Sequence, residues 1–399
     1  MHYAVPRFLH EAGRLERFHT DLYSKCSSAR LLGLVPERWQ PASIRRFVGR
    51  GTELPDHLVR SYQSLGLLYA ARNARAKDSA EASTVYLWAG RDFGRRVVRD
   101  GFGAASAVYA FNTAALEILT AARAQGLRTV LEQTIAPRAI EEKLMHAEHA
   151  RHPNWGPPLV KSEAATATMD REAREWGLAD LIVCGSEFVR DGIRRCGGPA
   201  DRCEVVPYGV DVSFRPKAFE ARGSRPLRVL TVGHVGLRKG APYALAVAKA
   251  LHGVAEFRWV GPVKVGDAAA AELSGHIDLC GAVPRSDVAT HYEWADVFFL
   301  PSICEGSATV TYEALSRGLP VVTTPSAGSP VRDGVDGFVV EDRDTSAMAA
   351  RLLELRDDRA LLERLAGNAL SGAEALTLNA YKQRLLPLLG SHLLQAAAP

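Results

Sequence analysis

This 399-residue sequence has no long uninterrupted apolar run, whereas a membrane-crossing helix needs roughly 18 such residues or more. Its opening, MHYAVPRFLHEAGRLERF, has no extended apolar core of the kind that marks a secretory signal. Both absences lead us to expect a cytoplasmic protein whose membrane contacts, if any, are made at the inner surface. Cysteine is scarce and scattered, at Cys26, Cys184, Cys196, Cys203, Cys280 and Cys304. No C-x-x-C pair or compact framework is present, which argues against a zinc ribbon or disulfide scaffold and for reduced thiols in a core. A large excess of one charge is missing too. The formal net charge of +4 names no nucleic-acid partner. Histidines cluster once, in HAEHARH (146–152), but without carboxylates in register. That reads as a solvated helix face, so no metal site is expected.

The length calls for two domains, and 47% hydrophobic with 24% charged residues is the balance of a globular chain. Short β-rich runs alternate with helical patterns. HYAV (2–5), SAVYAF (106–111), RTVLEQT (128–134) and DLIVCGS (180–186) read as strands of a first series. The stretch 135–170 reads as irregular. SFRPKAFEARGSRPL (213–227) is polar and broken by two prolines, a linker. A second series follows in RVLTVGH, FRWVGPV, HIDLCGAV, ADVFFLPS, PVVTTPS and GFVVED. The alternation predicts an α/β protein of two doubly wound, Rossmann-like halves. In the first hundred residues arginine is rich, as in IRRFVGR (44–50) and GRRVVRD (94–100). Such a face suits acidic lipid headgroups, although solvated helix faces are the plainer reading.

The chemistry concentrates in EGSATVTYEALSRGLPVV (305–322). A helix starting near Ser307 puts Glu305 in the entering loop and Glu313 on the helix. Eight helical residues rise roughly 12 Å, too far for two carboxylates to share a proton and beyond the roughly 6.5–9.5 Å of an inverting hydrolase pair. They suit opposite ends of one long ligand rich in hydroxyls. Between them GSAT offers small side chains and free amides at a helix start, where anions bind. A diphosphate there, with a sugar at Glu305 and a ribose at Glu313, describes a nucleotide sugar. The plain alternative is a surface loop glutamate and a solvated helix glutamate. A second loop, GHVGLRKG (233–240), sets Arg238 and Lys239 where a leaving diphosphate could be neutralised.

Together VVPYGVD (205–211), GHVGLRKG (233–240), YEWADVFFLPSICEGSATVTYEALSRGLPVVTT (292–324) and GVDGFVVEDRD (334–344) resemble the successive signatures of retaining glycosyltransferases of the GT-B fold, family 4. The resemblance implies two Rossmann-like domains facing a cleft, here 1–215 for the acceptor and 225–375 for the donor. A C-terminal helix within 376–399 would cross back to the first. It implies that Glu305 holds donor-sugar hydroxyls and that Lys239, with Arg238, meets the phosphates. The amides of Ala308, Thr309 and Val310 would face the diphosphate, Glu313 the ribose, and Val283 and Pro284 the base. Gly233, His234 and Ser307 complete the donor set. His10, Glu11 and Gly13 fall on the acceptor side. No cofactor is implied beyond the nucleotide-diphosphate sugar as co-substrate; the partner is a saccharide or lipid-linked acceptor.

The pattern is broken in places. His234 stands where the family has arginine, so Arg238 is expected to supply that charge. Ser307–Ala308 replaces an aromatic–glycine pair, and the glycine-rich acceptor loop is reduced to HEAG (10–13). Glu132, Gln133 and Thr134 occupy the place of the strand-end histidine. A nucleotide-sugar epimerase or hydrolase on the same fold, or a non-catalytic sugar-nucleotide module, would share the donor motifs.

Overall fold

The computed structural model describes residues 3–24, 53–156, 159–160, 162–211 and 225–394. IRRFVGR, Cys26 and most of the polar stretch 213–227 lie outside the described residues, and Leu227 already belongs to a strand. In the first half the strands are β1 (Phe18–Thr20), β2 (Val59–Ser61), β3 (Ala107–Phe111), β4 (Arg128–Gln133), β5 (Leu181–Cys184) and β6 (Cys203–Val205). β1 and β2 pair in parallel as a small sheet, and β3-β4-β5-β6 form a second parallel sheet in sequence order. All four residues of LIVC in β5 are buried, as expected of a parallel strand covered by helices on both faces.

The second half holds β7 (Leu227–Val232), β8 (Ala255–Val260), β9 (Ile277–Gly281), β10 (Val297–Leu300), β11 (Val321–Thr323) and β12 (Gly337–Val339). They make one parallel sheet in the order β12-β11-β10-β7-β8-β9. The order reverses between β7 and β10, the point at which open α/β sheets bind ligands beyond the strands' carboxyl ends. Two apolar cores cover its faces, one around Trp259, Phe299 and Leu352, the other around Phe298, Tyr292 and Leu315.

Two local expectations are overturned. HYAV is no strand: after Tyr3, in left-handed backbone, the chain forms helix Ala4–Glu11. Ala4, Val5 and Phe8 are its buried face, a helical rather than an alternating spacing. The stretch 135–170 is not irregular either, but carries helix Arg138–Arg151 and the start of helix Glu163–Leu178. The second helix buries Thr168, Arg171, Glu172 and Glu175 along with Ala164, Ala165 and Trp176. Charged residues carry its inward period, so hydrophobic spacing does not reveal it.

The last helix, Leu378–Leu394, leaves the second half and packs on the first, as the resemblance implies. Tyr381, Leu385 and Leu389 join Ala4, Phe8, Val206 and Tyr208 in one core. Arg384 donates to the Pro207 carbonyl at 2.9 Å, and the Val210 amide donates to the Leu376 carbonyl at 2.9 Å.

Candidate active site between the halves

β7 is followed by Gly233, whose φ of 137° disfavours any side chain; a Cβ there would also lie 3.0 Å from Lys239 Cε. The chain then makes a tight turn, Leu237–Lys239, and leaves it through Gly240, where φ is 72° and a Cβ would come within 1.9 Å of the Pro301 carbonyl oxygen. These two glycines press the turn against the carboxyl end of β10. Lys239 is thereby buried at 8% exposure, with Nζ 3.0 Å from Glu305 Oε1. That is ion-pair distance, though Oε1 is not aligned as a hydrogen-bond acceptor. Arg238 Nη1 stands 3.8 Å from Glu305 Oε2, on a side chain one-third exposed. The sequence-predicted triad of Glu305, Lys239 and Arg238 is thus one cluster with an excess of one positive charge.

His234 is exposed on the same loop. Partial loss of hydration, then Arg238, Lys264 and Lys239, hold its imidazole below the usual histidine range. It is a neutral ring at neutral pH, and the positive charge here comes from Arg238, Lys239 and Lys264. Lys264 was missed in the sequence because it lies on the loop after β8, far from the motif.

The helix expected near Ser307 begins at Thr309, with Ala308 as its cap. The Ala308 amide is not free for an anion, since it donates to the Ala327 carbonyl at 3.1 Å. The amides of Thr309 and Val310 have no acceptor among the described residues. Ser307 Oγ lies 2.7 Å from the Tyr312 hydroxyl. Glu313 projects from the helix and accepts from the Tyr292 hydroxyl at 3.0 Å. Tyr292, fully buried, opens the signature 292–324, but its spacing there gives no sign of this contact. Glu313, Thr309 and Arg285 line a cavity of about 1270 Å³ that reaches into the first half. Of the loop GAVPRSD, Val283 is half-buried and Pro284 exposed, and Arg285 is the residue that lines this cavity.

The halves touch across the site. A Cβ on Gly306 would lie 2.0 Å from the Thr134 carbonyl oxygen, and the Ser186 hydroxyl donates to the Gly306 carbonyl. Farther out, the buried Glu148 of helix Arg138–Arg151 accepts from Arg343 Nε at 2.7 Å and from the Tyr243 hydroxyl at 2.5 Å. HAEHARH is the end of that helix, and no metal-ligating cluster occurs among the described residues. On the first-half side Glu132 is 2% exposed and accepts from Tyr109 at 2.6 Å and Tyr208 at 2.9 Å. Burial pushes its carboxyl pKa up despite those donors. Gln133 binds Glu172 and Trp176, and Thr134 binds Asn112. His10 and Glu11 lie at the end of helix Ala4–Glu11 and Gly13 just beyond; none of the three lines the cavity, and Glu11 pairs with Lys382 of the last helix.

Residues 226–358 match the family described as Glycosyl transferases group 1. Over 203 residues the chain is 32% identical to WcaL of Salmonella typhimurium, a protein named for colanic acid biosynthesis, covering 46% of this chain and 50% of that one. It is 29% identical over 201 residues to the amylovoran biosynthesis glycosyltransferase AmsK of Erwinia amylovora, covering 45% and 48%. The chain therefore spans about half the length of these curated relatives. Among solved structures, HepE of Anabaena in complex with UDP and glucose superposes with a TM-score of 0.57 at 15% identity, over 94% of this chain and 98% of that one. The lipopolysaccharide outer core galactosyltransferase WaaB gives 0.53 at 14%, over 79% and 82%. Residues 226–358 thus match the group 1 glycosyltransferases, and the chain carries the GT-B fold.

Proposed function

We propose that this chain transfers a hexose from a nucleoside-diphosphate sugar to a hydroxyl of a saccharide or lipid-linked acceptor in bacterial surface-glycan or exopolysaccharide synthesis. Retention at the anomeric carbon and independence of metal ions are part of the proposal. The observation that carries it is the pair of cations, Lys239 and Arg238, held on Glu305 four residues ahead of helix Thr309–Leu315, whose Glu313 lines the cavity between the halves. The first end suits a diphosphate and its sugar, the second a ribose. The names of the relatives, for colanic acid and amylovoran biosynthesis, support the glycan setting.

In the proposed reaction the acceptor oxygen bonds to the anomeric carbon on the face the diphosphate leaves. The carbon–oxygen bond to phosphate breaks with its electron pair on the leaving group. The acceptor proton passes to a phosphate oxygen. Lys239, Arg238 and the amides of Thr309 and Val310 meet the charge that grows there, so catalysis rests on positioning and electrostatics. Exposed Arg91, Arg95 and Arg99, four residues apart on helix Ser79–Asp100, give a basic stripe suited to an acidic membrane surface.

The test is a panel of nucleotide sugars incubated with and without saccharide and lipid-linked acceptors, with chelator added in parallel. Acceptor-dependent product with the donor's anomeric configuration, unaffected by chelator, is expected. Sugar released from the donor alone would make this a hydrolase, and isomerised donor an epimerase. Binding without turnover of any donor would leave a sugar-nucleotide module.

A further inference from the structure

A second cavity, of about 650 Å³, opens in the first half and shares no lining residue with the one beside Glu313. Three helices wall it, Ser79–Asp100, Leu116–Ala124 and Glu163–Leu178. Helix Ser79–Asp100 separates the two cavities. Gly90, Phe93 and Val97 face the first, whereas Arg91, Arg95 and Val98 face the second. The spacing of four and three puts these last residues on one helix face. Asp170, Arg171 and Arg174 share a face of helix Glu163–Leu178 by the same rule. Two glycines let the walls close. A Cβ on Gly90 would lie 2.6 Å from the Thr113 carbonyl oxygen, and one on Gly94 would lie 2.8 Å from Glu117 Oε2.

The floor of this cavity is a closed ion pair. Arg171, 3% exposed, donates from Nη1 to Glu117 Oε1 at 2.9 Å and from Nη2 to Glu117 Oε2, and its Nε donates to the Thr113 carbonyl at 2.6 Å. Both oxygens of Glu117 are thus occupied. The rim is different. Arg91, Arg95 and Arg174 are exposed and have no hydrogen bond or ion pair among the described residues. Arg96, one position along the same helix, does find a carboxylate, Asp92 at 2.8 Å. Asp170 is the one unpaired acid lining the cavity among the described residues. Three guanidinium groups against one free carboxylate leave a double positive charge. It surrounds a hollow whose other walls are Val98, Leu116, Thr120 and alanines. Like charges gathered in this way oppose folding unless an anion neutralises them.

We propose that this cavity binds a doubly charged phosphate group, a phosphomonoester or a diphosphate, at a site separate from the donor site. Guanidinium forks match phosphate oxygens in pairs, and here they converge from two helices on one hollow. Apolar walls strengthen each of those contacts by lowering the local dielectric. The volume falls within the roughly 300–1,000 Å³ of small-ligand sites. A single carboxylate would leave one positive charge unmatched. No aromatic ring lines the cavity to stack on a base or a sugar. A solvated basic stripe needs one helix only, Arg91, Arg95 and Arg99. It accounts neither for Arg174, which comes from another helix, nor for the hollow, which Arg99 does not line. A soluble phosphate and a lipid headgroup both present the required chemistry. The site does not rest on the proposed transfer reaction.

The test titrates inorganic pyrophosphate into the Arg238→Ala/Lys239→Ala protein, whose cleft has lost its paired cations, and reads binding by calorimetry. One site per chain is expected. On that background Arg95→Gln and Arg174→Gln should each weaken binding by about tenfold or more, as charge-assisted hydrogen bonds are lost. Arg99→Gln should change it by less than about twofold, as for a surface substitution. In the chain with its cleft intact, Arg174→Gln should remove one site and leave whatever the cleft binds. Without ligand, Arg174→Gln should melt no lower than its parent, whereas an arginine held for structure would lower the melting temperature. Absence of pyrophosphate binding to the double variant and of any Arg174-dependent site in the intact chain would overturn the proposal. So would equal losses from Arg99→Gln and Arg174→Gln, which would reduce the cavity to a diffuse stripe. Phosphatidate vesicles separate the two sources. Vesicle binding that pyrophosphate displaces and Arg174→Gln weakens assigns the site to a lipid headgroup; vesicle binding that is absent or indifferent to both assigns it to a soluble phosphate.

Discussion

The two halves of this molecule bury charge for opposite purposes. In the second half, Lys239, on a turn held by two glycines, and Glu305, in the loop after β10, are buried side by side at the carboxyl end of the sheet. In the first half, buried carboxylates replace apolar core. Glu175 accepts from the amides of Thr113, Ala115 and Leu116, capping a helix start from a distant element. Glu172 takes Asn112, Gln133 and the Arg138 amide. Burial raises both carboxyls, Glu175 to about 7. A perturbed, buried acid is therefore no mark of chemistry in this protein. What separates the two uses is whether backbone amides or only mobile side chains and an open cleft face the group.

If that division is right, changes in the second half cut turnover while the fold holds, and changes in the first half do the reverse. The largest effect is expected from Lys239→Ala. Turnover should fall by about a hundred- to a thousandfold, the usual loss when a donor to developing charge is removed, and donor affinity should fall less. Arg238→Ala, at the looser 3.8 Å contact, should cost about tenfold or more. Equal losses in kcat and donor affinity would make Lys239 a binding residue only.

Next comes Glu313→Ala. A carboxylate that accepts ribose hydroxyls contributes about 1.5–3 kcal/mol per hydrogen bond, so nucleoside-diphosphate affinity measured by titration should drop by about tenfold or more. Unchanged affinity would put the ribose elsewhere and weaken the comparison.

On the first-half side the expected signal is pH-dependent stability. Burial holds the His19 ring at a pKa of about 4, below the ordinary 6.5, with Asp100 opposing and Arg17 and Arg60 adding to the shift. The unfolded chain binds a proton that the folded ring refuses, so this contribution is full above pH 6.5 and is lost as pH falls toward 4. Melting temperatures of wild type and His19→Gln should converge over that window, with nucleotide affinity unchanged in both. A constant difference across it would remove His19 from the account.

The smallest effect is assigned to His234→Ala. Because lost hydration and neighbouring cations hold the ring below the usual histidine range, activity should change by less than about threefold, as for surface substitutions, and by the same factor at pH 7 and pH 8. A loss that is larger at pH 7 than at pH 8 would mean that the ring acts as a cation after all.

The second half was legible because its chemistry uses local rules. Gly233 and Gly240 are backbone requirements, Lys239 and Arg238 sit beside one of them, and β-branched or aromatic runs such as VFFL and PVVTT announce buried strands. Even there the sequence could not show that the Ala308 amide is already spent on Ala327, or that Tyr292 grips Glu313. The first half hid more. Its first helix looked like a strand because HYAV is short and apolar, and the stretch 135–170 looked irregular because helix Arg138–Arg151 buries Glu148 and no apolar residue.

From the sequence alone come the two α/β halves, the order of the donor motifs and the identities of Glu305, Lys239 and Glu313. All of these depend on residues close together along the chain or on a repeating period. Only the tertiary structure decided that Glu148 joins Arg343 and Tyr243 across the cleft and that the last helix completes the first half. Those contacts join elements separated by tens to hundreds of residues, and a side chain carries no local sign of the distant group that will satisfy it.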